Sequence, residues 1–141
     1  MRSHSKKDNR MKTKTIIVLL VTFLFATCAA AADIYVISHE GLSLKPDDVR
    51  DVFLGGKQYS GSVRLAPVDN ASAQQEFFSK VLKMNSERYS TVWMKKSFRD
   101  GVNPPAVKSG DAATLDFVKR NPGGIGYVKS APSGVTIIKK Y

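Results

Sequence analysis

The sequence predicts an α/β domain with a small mixed sheet flanked by about four helices. Short apolar runs of strand length recur at residues 34–37, 63–68, 125–128 and 135–138. Between them lie segments whose apolar residues repeat at helical spacing. The switches from one pattern to the other fall on Gly, Pro, Asn and Ser punctuation. Strands alternating with helices in this way build a layered structure with right-handed crossovers.

The chain opens on a leader. Met11-Lys12-Thr13-Lys14 is a basic start, residues 16–25 form an uncharged apolar core, and Ala30-Ala31-Ala32 offers small residues for cleavage. That is the order of a secretory signal peptide, and the core is too short for a comfortable membrane span. The expected leader is 1–32, with 1–10 either an upstream start or a long n-region. Translation begins at Met1 or at Met11. Cys28, the single cysteine of the chain, lies in this leader, so the exported domain has no disulfide. Thr27 stands where a lipoprotein would carry Gly or Ala, so soluble periplasmic release is expected, and membrane attachment would require lipidation of Cys28.

Removing 32 of the 141 residues leaves a domain at 33–141. Six of the 22 Lys and Arg and one of the 12 acids go with the leader, so the remainder keeps a net charge of +5. That is enough chain for one hydrophobic core and not for two lobes. Export, and the lack of a Lys/Arg block interleaved with aromatics, argue against nucleic acid as a partner.

Ile34-Tyr35-Val36-Ile37 is a buried first strand. Pro46 suits a first helical position, Asp47 and Asp48 complement the positive first turn, and Leu44 can staple onto Val49. Val49, Val52 and Phe53 make the apolar stripe, and Gly55-Gly56 ends that helix in left-handed geometry. Residues 57–61 are a polar connector. Val63, Leu65 and Val68 read as a buried strand, with Pro67 where ladder pairing stops. Ser72 followed by Gln75 is a capping-box pattern opening a second helix, whose stripe is Phe77, Phe78, Val81 and Leu82. Asn85-Ser86 caps a third helix carrying Tyr89, Val92 and Trp93, which ends near Gly101. Asn103-Pro104-Pro105 is an extended linker. Ser109-Gly110-Asp111 opens a fourth helix with Leu115 and Val118 inward, and Asn121-Pro122-Gly123-Gly124 stops it. Two strands close the chain around a turn at 130–134.

No catalytic constellation emerges. His39 is the only histidine after the leader, so a histidine metal cluster cannot form, and no nucleophile elbow accompanies it. Asp47 and Asp48 are adjacent on a helix and diverge by about 100°. Gly123-Gly124-Ile125-Gly126 precedes a strand, the wrong order for a dinucleotide fingerprint. Tyr89 and Trp93 can stack a ligand or pack the core. The domain is expected to be non-enzymatic, without cofactor or metal.

The strand–loop–helix at 63–78 is the candidate site. A helix starting directly after a strand presents free N–H groups and a positive dipole end to an anion. Asn70, Ser72, Ala73 and Gln74 are the candidate ligand-binding residues, with the Ser72 hydroxyl and the N–H groups of Ala73 and Gln74 forming an anion nest. Ser72 could instead only cap its own helix.

Four segments, in order, carry a family resemblance. They are Leu42-Ser43 with Val52-Phe53-Leu54-Gly55-Gly56-Lys57; Pro67-Val68-Asp69-Asn70-Ala71-Ser72 with Phe77-Phe78; Trp93 with Phe98-Arg99-Asp100-Gly101 and Pro104-Pro105; and Asn121-Pro122-Gly123-Gly124-Ile125-Gly126-Tyr127-Val128. Together they resemble the second lobe of the periplasmic phosphate-binding proteins, and most of all the short single-lobe relatives described as phosphate ABC transporter substrate-binding proteins. The resemblance implies a single lobe of a type 2 periplasmic-binding-protein-like fold, phosphate or a similar oxyanion at the helix start near Ser72, and an ABC permease as partner. The family pattern Arg-x-x-x-Ser-Gly-Thr keeps only Ser72 here, with Val68, Ala73 and Gln74 at its other positions and Asp69 nearby to repel a dianion. A half-clamp also leaves the anion wet on one side. Either a homodimer rebuilds the cleft around a weakly held oxyanion, or the lobe serves as an envelope interaction or sensor module through Phe98, Arg99 and the loop at 103–105.

Overall fold

The computed structural model describes residues 32–141. Residues 1–31, which hold all of the expected leader but Ala32, including Cys28 and both start methionines, lie outside the described residues. In chain order these form β1 (Tyr35–Ser38), α1 (Asp48–Phe53), β2 (Tyr59–Ser60), β3 (Val63–Arg64), β4 (Ala66–Asn70) and α2 (Gln74–Phe77), which runs on into a π-helical turn (Phe78–Leu82). Then come α3 (Ser86–Asp100), β5 (Ala106–Lys108), α4 (Asp111–Arg120), β6 (Gly124–Val128) and β7 (Thr136–Lys140).

The main sheet has the order β5-β4-β6-β1-β7 and is mixed. β4 runs parallel to both β5 and β6, whereas β1 is antiparallel to β6 and β7. The expected α/β class with four helices and a small mixed sheet is therefore observed. β2 and β3 form a separate hairpin inside what reads as a polar connector followed by a strand.

β4 starts later than its sequence pattern suggests and contains Pro67, which pairs with Ile125. The Ala66 N–H reaches the Gly123 carbonyl at 2.7 Å on the β6 side, so the Pro67 nitrogen faces the β5 side. Pairing with β5 begins only at Val68, so no ladder bond is missing there.

Successive residues of a strand point to opposite faces, and the two faces carry different helices. Val36, Ile125 and Tyr127 pack with Val49, Phe53, Phe77, Phe78, Leu82 and Trp93 from α1, α2 and α3. Ile37 and Val128 pack with Val118 of α4 on the other face. At the centre of the first core the Phe77 and Tyr127 rings stack at 3.8 Å and 4°, with Phe53 edge-on to both. Each such buried side chain contributes about 1.5–3 kcal/mol of hydrophobic free energy.

The glycines at 124 and 126 make a track for α4. A Cβ on Gly126 would lie 2.7 Å from Thr114 Cγ2, and one on Gly124 would lie 2.9 Å from Val118 Cα. This close packing accounts for the glycines of the segment.

Two helices differ from expectation. α1 begins at Asp48, because the Asp48 carboxylate accepts the Lys45 N–H at 2.9 Å and holds Pro46 and Asp47 in a preceding turn. The second helix is not a single α-helix: its wide π turn lets the sequence neighbours Phe77 and Phe78 both enter the core. α3 follows the sequence reading, with Asn85 accepting the Arg88 N–H at 2.9 Å and Gly101 left-handed at the far end. Among the described residues no helix is long and apolar enough to cross a membrane.

Candidate functional site

In open α/β sheets ligands bind beyond the carboxyl ends of parallel strands. Here that edge is made by the ends of β4, β5 and β6, and by the turn that carries Asn70, Ser72, Ala73 and Gln74. The structure brings these four residues together, but it engages most of their donors within the chain.

Asn70 is fully buried and organises the turn. Its Oδ1 accepts the Ser72 N–H at 3.0 Å and the Ser72 hydroxyl at 2.8 Å, and its backbone carbonyl accepts the Ala73 N–H at 3.0 Å. The capping box is thus corrected: Ala73 occupies the cap position of α2 without a side-chain cap, and Ser72 closes an Asx turn with Asn70. Two of the three donors assigned to an anion nest, the Ser72 hydroxyl and the Ala73 N–H, already have partners. α2 itself spans only four residues, so few peptide dipoles align behind the tip.

The same edge does hold an anion, and it belongs to the chain. Asp111, first residue of α4, accepts Asn70 Nδ2 at 2.7 Å on one carboxylate oxygen and the Lys129 N–H at 3.0 Å on the other. Asn70 Nδ2 also donates to the Tyr127 carbonyl at 3.0 Å, so both protons and both lone pairs of the Asn70 amide are satisfied. The neighbouring lysines are engaged elsewhere, Lys129 with Glu76 at 3.6 Å and Lys108 over the Phe117 ring at 4.6 Å.

Asp69 stands on the opposite face of β4 from Asn70, so it does not confront a ligand at the turn. It is 1% exposed, and its two oxygens accept the Tyr89 hydroxyl at 2.8 Å and the Tyr127 hydroxyl at 2.9 Å. Burial pushes the Asp69 carboxyl up to about 6, opposed by the hydrogen bonds from Tyr89, Tyr127 and Gln74. Burial and the Asp69 charge push both tyrosine hydroxyls far above their ordinary value.

Tyr89 and Trp93 serve the core: Tyr89 packs on Phe78 at 4.2 Å, and the Trp93 indole N–H donates to the Phe53 carbonyl at 3.1 Å. His39 Nδ1 accepts the Gly41 N–H at 3.2 Å. Among the described residues no group of three or more metal-ligating side chains gathers.

Sequence reasoning reached the turn but missed Asp111 and Tyr127 as its partners. The available signal was Asp69-Asn70, two adjacent polar residues ending a strand whose other residues are apolar. Such a pair demands buried partners on both faces.

Comparison with family models, with curated proteins and with solved structures finds no match to this chain.

Proposed function

We propose that this chain is an exported, non-enzymatic single lobe of the type 2 periplasmic-binding-protein kind, allied to the substrate-binding proteins of phosphate ABC transporters, and that it works in the envelope by protein contact. What supports the first part is the ordered set of four motif segments, together with a mixed sheet whose parallel strands are joined through helices. What carries the second is one observation: the donors at this edge are taken up within the chain, Ser72 and the Ala73 N–H by Asn70, and Asn70 Nδ2 with the Lys129 N–H by the Asp111 carboxylate. A self-supplied anion removes the need for phosphate at that edge. The contact face is the outer side of α3, where Phe98 is 95% exposed beside Met94 and the 103–105 loop.

The test has two arms. Phosphate titrated to millimolar levels is expected to give no saturable heat with the wild-type protein, and micromolar affinity would overturn the contact reading. Capture from an envelope extract is expected to yield a discrete partner with the wild type and to lose it with Phe98→Asp or Arg99→Glu. Retention by both variants excludes this face.

One observation favours a second reading. Two donors converging on a carboxylate at the start of the ten-residue α4 form a place that suits an anion. If Asp111 yields that place, phosphate or a similar oxyanion binds weakly there, and an ABC permease or a homodimeric cleft becomes the context. Phosphate binding in Asp111→Ala at millimolar concentration, absent in Asn70→Ala, would identify this behaviour.

A further inference from the structure

We infer that the groove between α3 and β5 is a binding site for a small organic ammonium ion. The groove encloses about 370 Å³, within the range of small-ligand sites. Its walls are mostly apolar, with Tyr89, Trp93 and Met94 from α3, Pro105 and Val107 from β5 and its approach, and Phe78 below, interrupted by neutral serines of α3 and by Gln74. Asp69 lies on its floor and is the only carboxylate in its lining, and no lysine or arginine contributes to it.

The charge of Asp69 is the unusual feature. Its partners are the two tyrosine hydroxyls and Gln74, all neutral, and among the described residues no cation pairs with it. A buried carboxylate held only by neutral donors leaves a negative potential that low-dielectric walls focus into the adjoining cavity. Aromatic faces add attraction for a cation of the same shape.

Other ligand classes fit less well. An anion meets Asp69 with like charge. A hydrated metal ion needs six or more oxygen ligands, and this lining offers one carboxylate already engaged by two tyrosines. A neutral apolar solute fills the walls and leaves the carboxylate uncompensated. An alkyl or quaternary ammonium satisfies both, because its methyl groups match the walls and its charge matches the floor. This site stands on the face of the sheet opposite Asp111 and does not depend on the anion reading.

Trp93 is the single tryptophan of the chain and lines the groove, so its emission reports occupancy. Choline is the probe, and its neutral carbon isostere dimethylbutanol is the control. Choline is expected to change Trp93 emission saturably at millimolar or lower concentration, with the isostere at least about tenfold weaker. Ionisation of Asp69 near pH 6 makes choline about tenfold weaker at pH 5 than at pH 7.5. Asp69→Asn is expected to abolish the charge preference. Val107→Lys, at a position 58% exposed on the rim and opposite Asp69 in the strand register, sets a competing ammonium over the groove while leaving the Asp69 side chain itself unaltered. Failure of choline to saturate, equal binding of the isostere, or undiminished choline affinity in Val107→Lys would overturn the assignment, the last even if Asp69→Asn does not fold.

Discussion

Asn70 and Asp111, 41 residues apart, meet at 2.7 Å and lock the end of β4 to the first turn of α4. The pair ties the carboxyl ends of the parallel strands together at the place where proteins of this architecture receive ligands. It also sets the polarity of the two faces. Asn70 and Asp111 take the α4 side, and Asp69 with its tyrosines takes the α3 side.

Replacing Asp111 by alanine deprives the buried Asn70 Nδ2 and the Lys129 N–H of an acceptor. A loss of about 1–3 kcal/mol is expected, read from urea denaturation. Asp111→Asn keeps an acceptor for one of the two donors and should fall between the variant and the wild type.

Asp69 makes folding pH-dependent with a definite sign. Its folded value of about 6 lies above the ordinary carboxylate value of 3.8, so the native state holds the proton more tightly. The carboxyl costs nothing below the unfolded value, and stability declines as pH rises through about 6, by about 3 kcal/mol in full. Asp48, held below its ordinary value by the Lys45 N–H and Lys57, acts in the opposite direction and contributes above the unfolded value. The clean measurement is therefore the difference between Asp69→Asn and wild type, which should shift in favour of the variant between pH 4 and pH 7. A flat difference would exclude Asp69 as the source.

Tyr127→Phe preserves the stack on Phe77 and removes only a hydroxyl that donates to Asp69 at 2.9 Å. Stability is expected to fall by about 1–3 kcal/mol at neutral pH. Carboxyl NMR should show Asp69 titrating at higher pH, since that hydrogen bond favours its charged form.

Gly126→Ala should destabilise by about 1–3 kcal/mol in a thermal melt, because the added methyl meets Thr114, Val68 and Val118 in a packed interface. Thr114→Ser in the same background removes the nearest methyl and should restore part of the loss.

Phe98→Asp should leave thermal stability within about 0.5 kcal/mol of wild type, since the side chain is 95% exposed and belongs to no core. A loss of contact in this variant then reports the surface alone.

Local signals in the chain located most elements because each depends on neighbouring residues. Asn85 accepts the N–H three residues on, Gly101 turns left-handed at the end of α3, and the spacing of Tyr89 and Trp93 sets the buried stripe of that helix. Such features need no knowledge of what packs against them. The α/β class followed from their alternation.

The site was legible only as a location. Whether the turn at 70–74 offers donors to a ligand depends on which partners the fold delivers to Asn70 and Asp69. Those partners lie 41, 57, 20 and 58 residues away, at Asp111, the Tyr127 carbonyl, Tyr89 and the Tyr127 hydroxyl. Periodicity sets the face to which a side chain points, but crossover connections decide what waits there. The sequence by itself determined the α/β class, the caps and buried stripes of most helices, and the place of the turn that follows β4. Tertiary structure alone decided that the anion at that edge is the chain's own and that Asp69 faces an aromatic groove, because both depend on contacts between residues far apart in the chain.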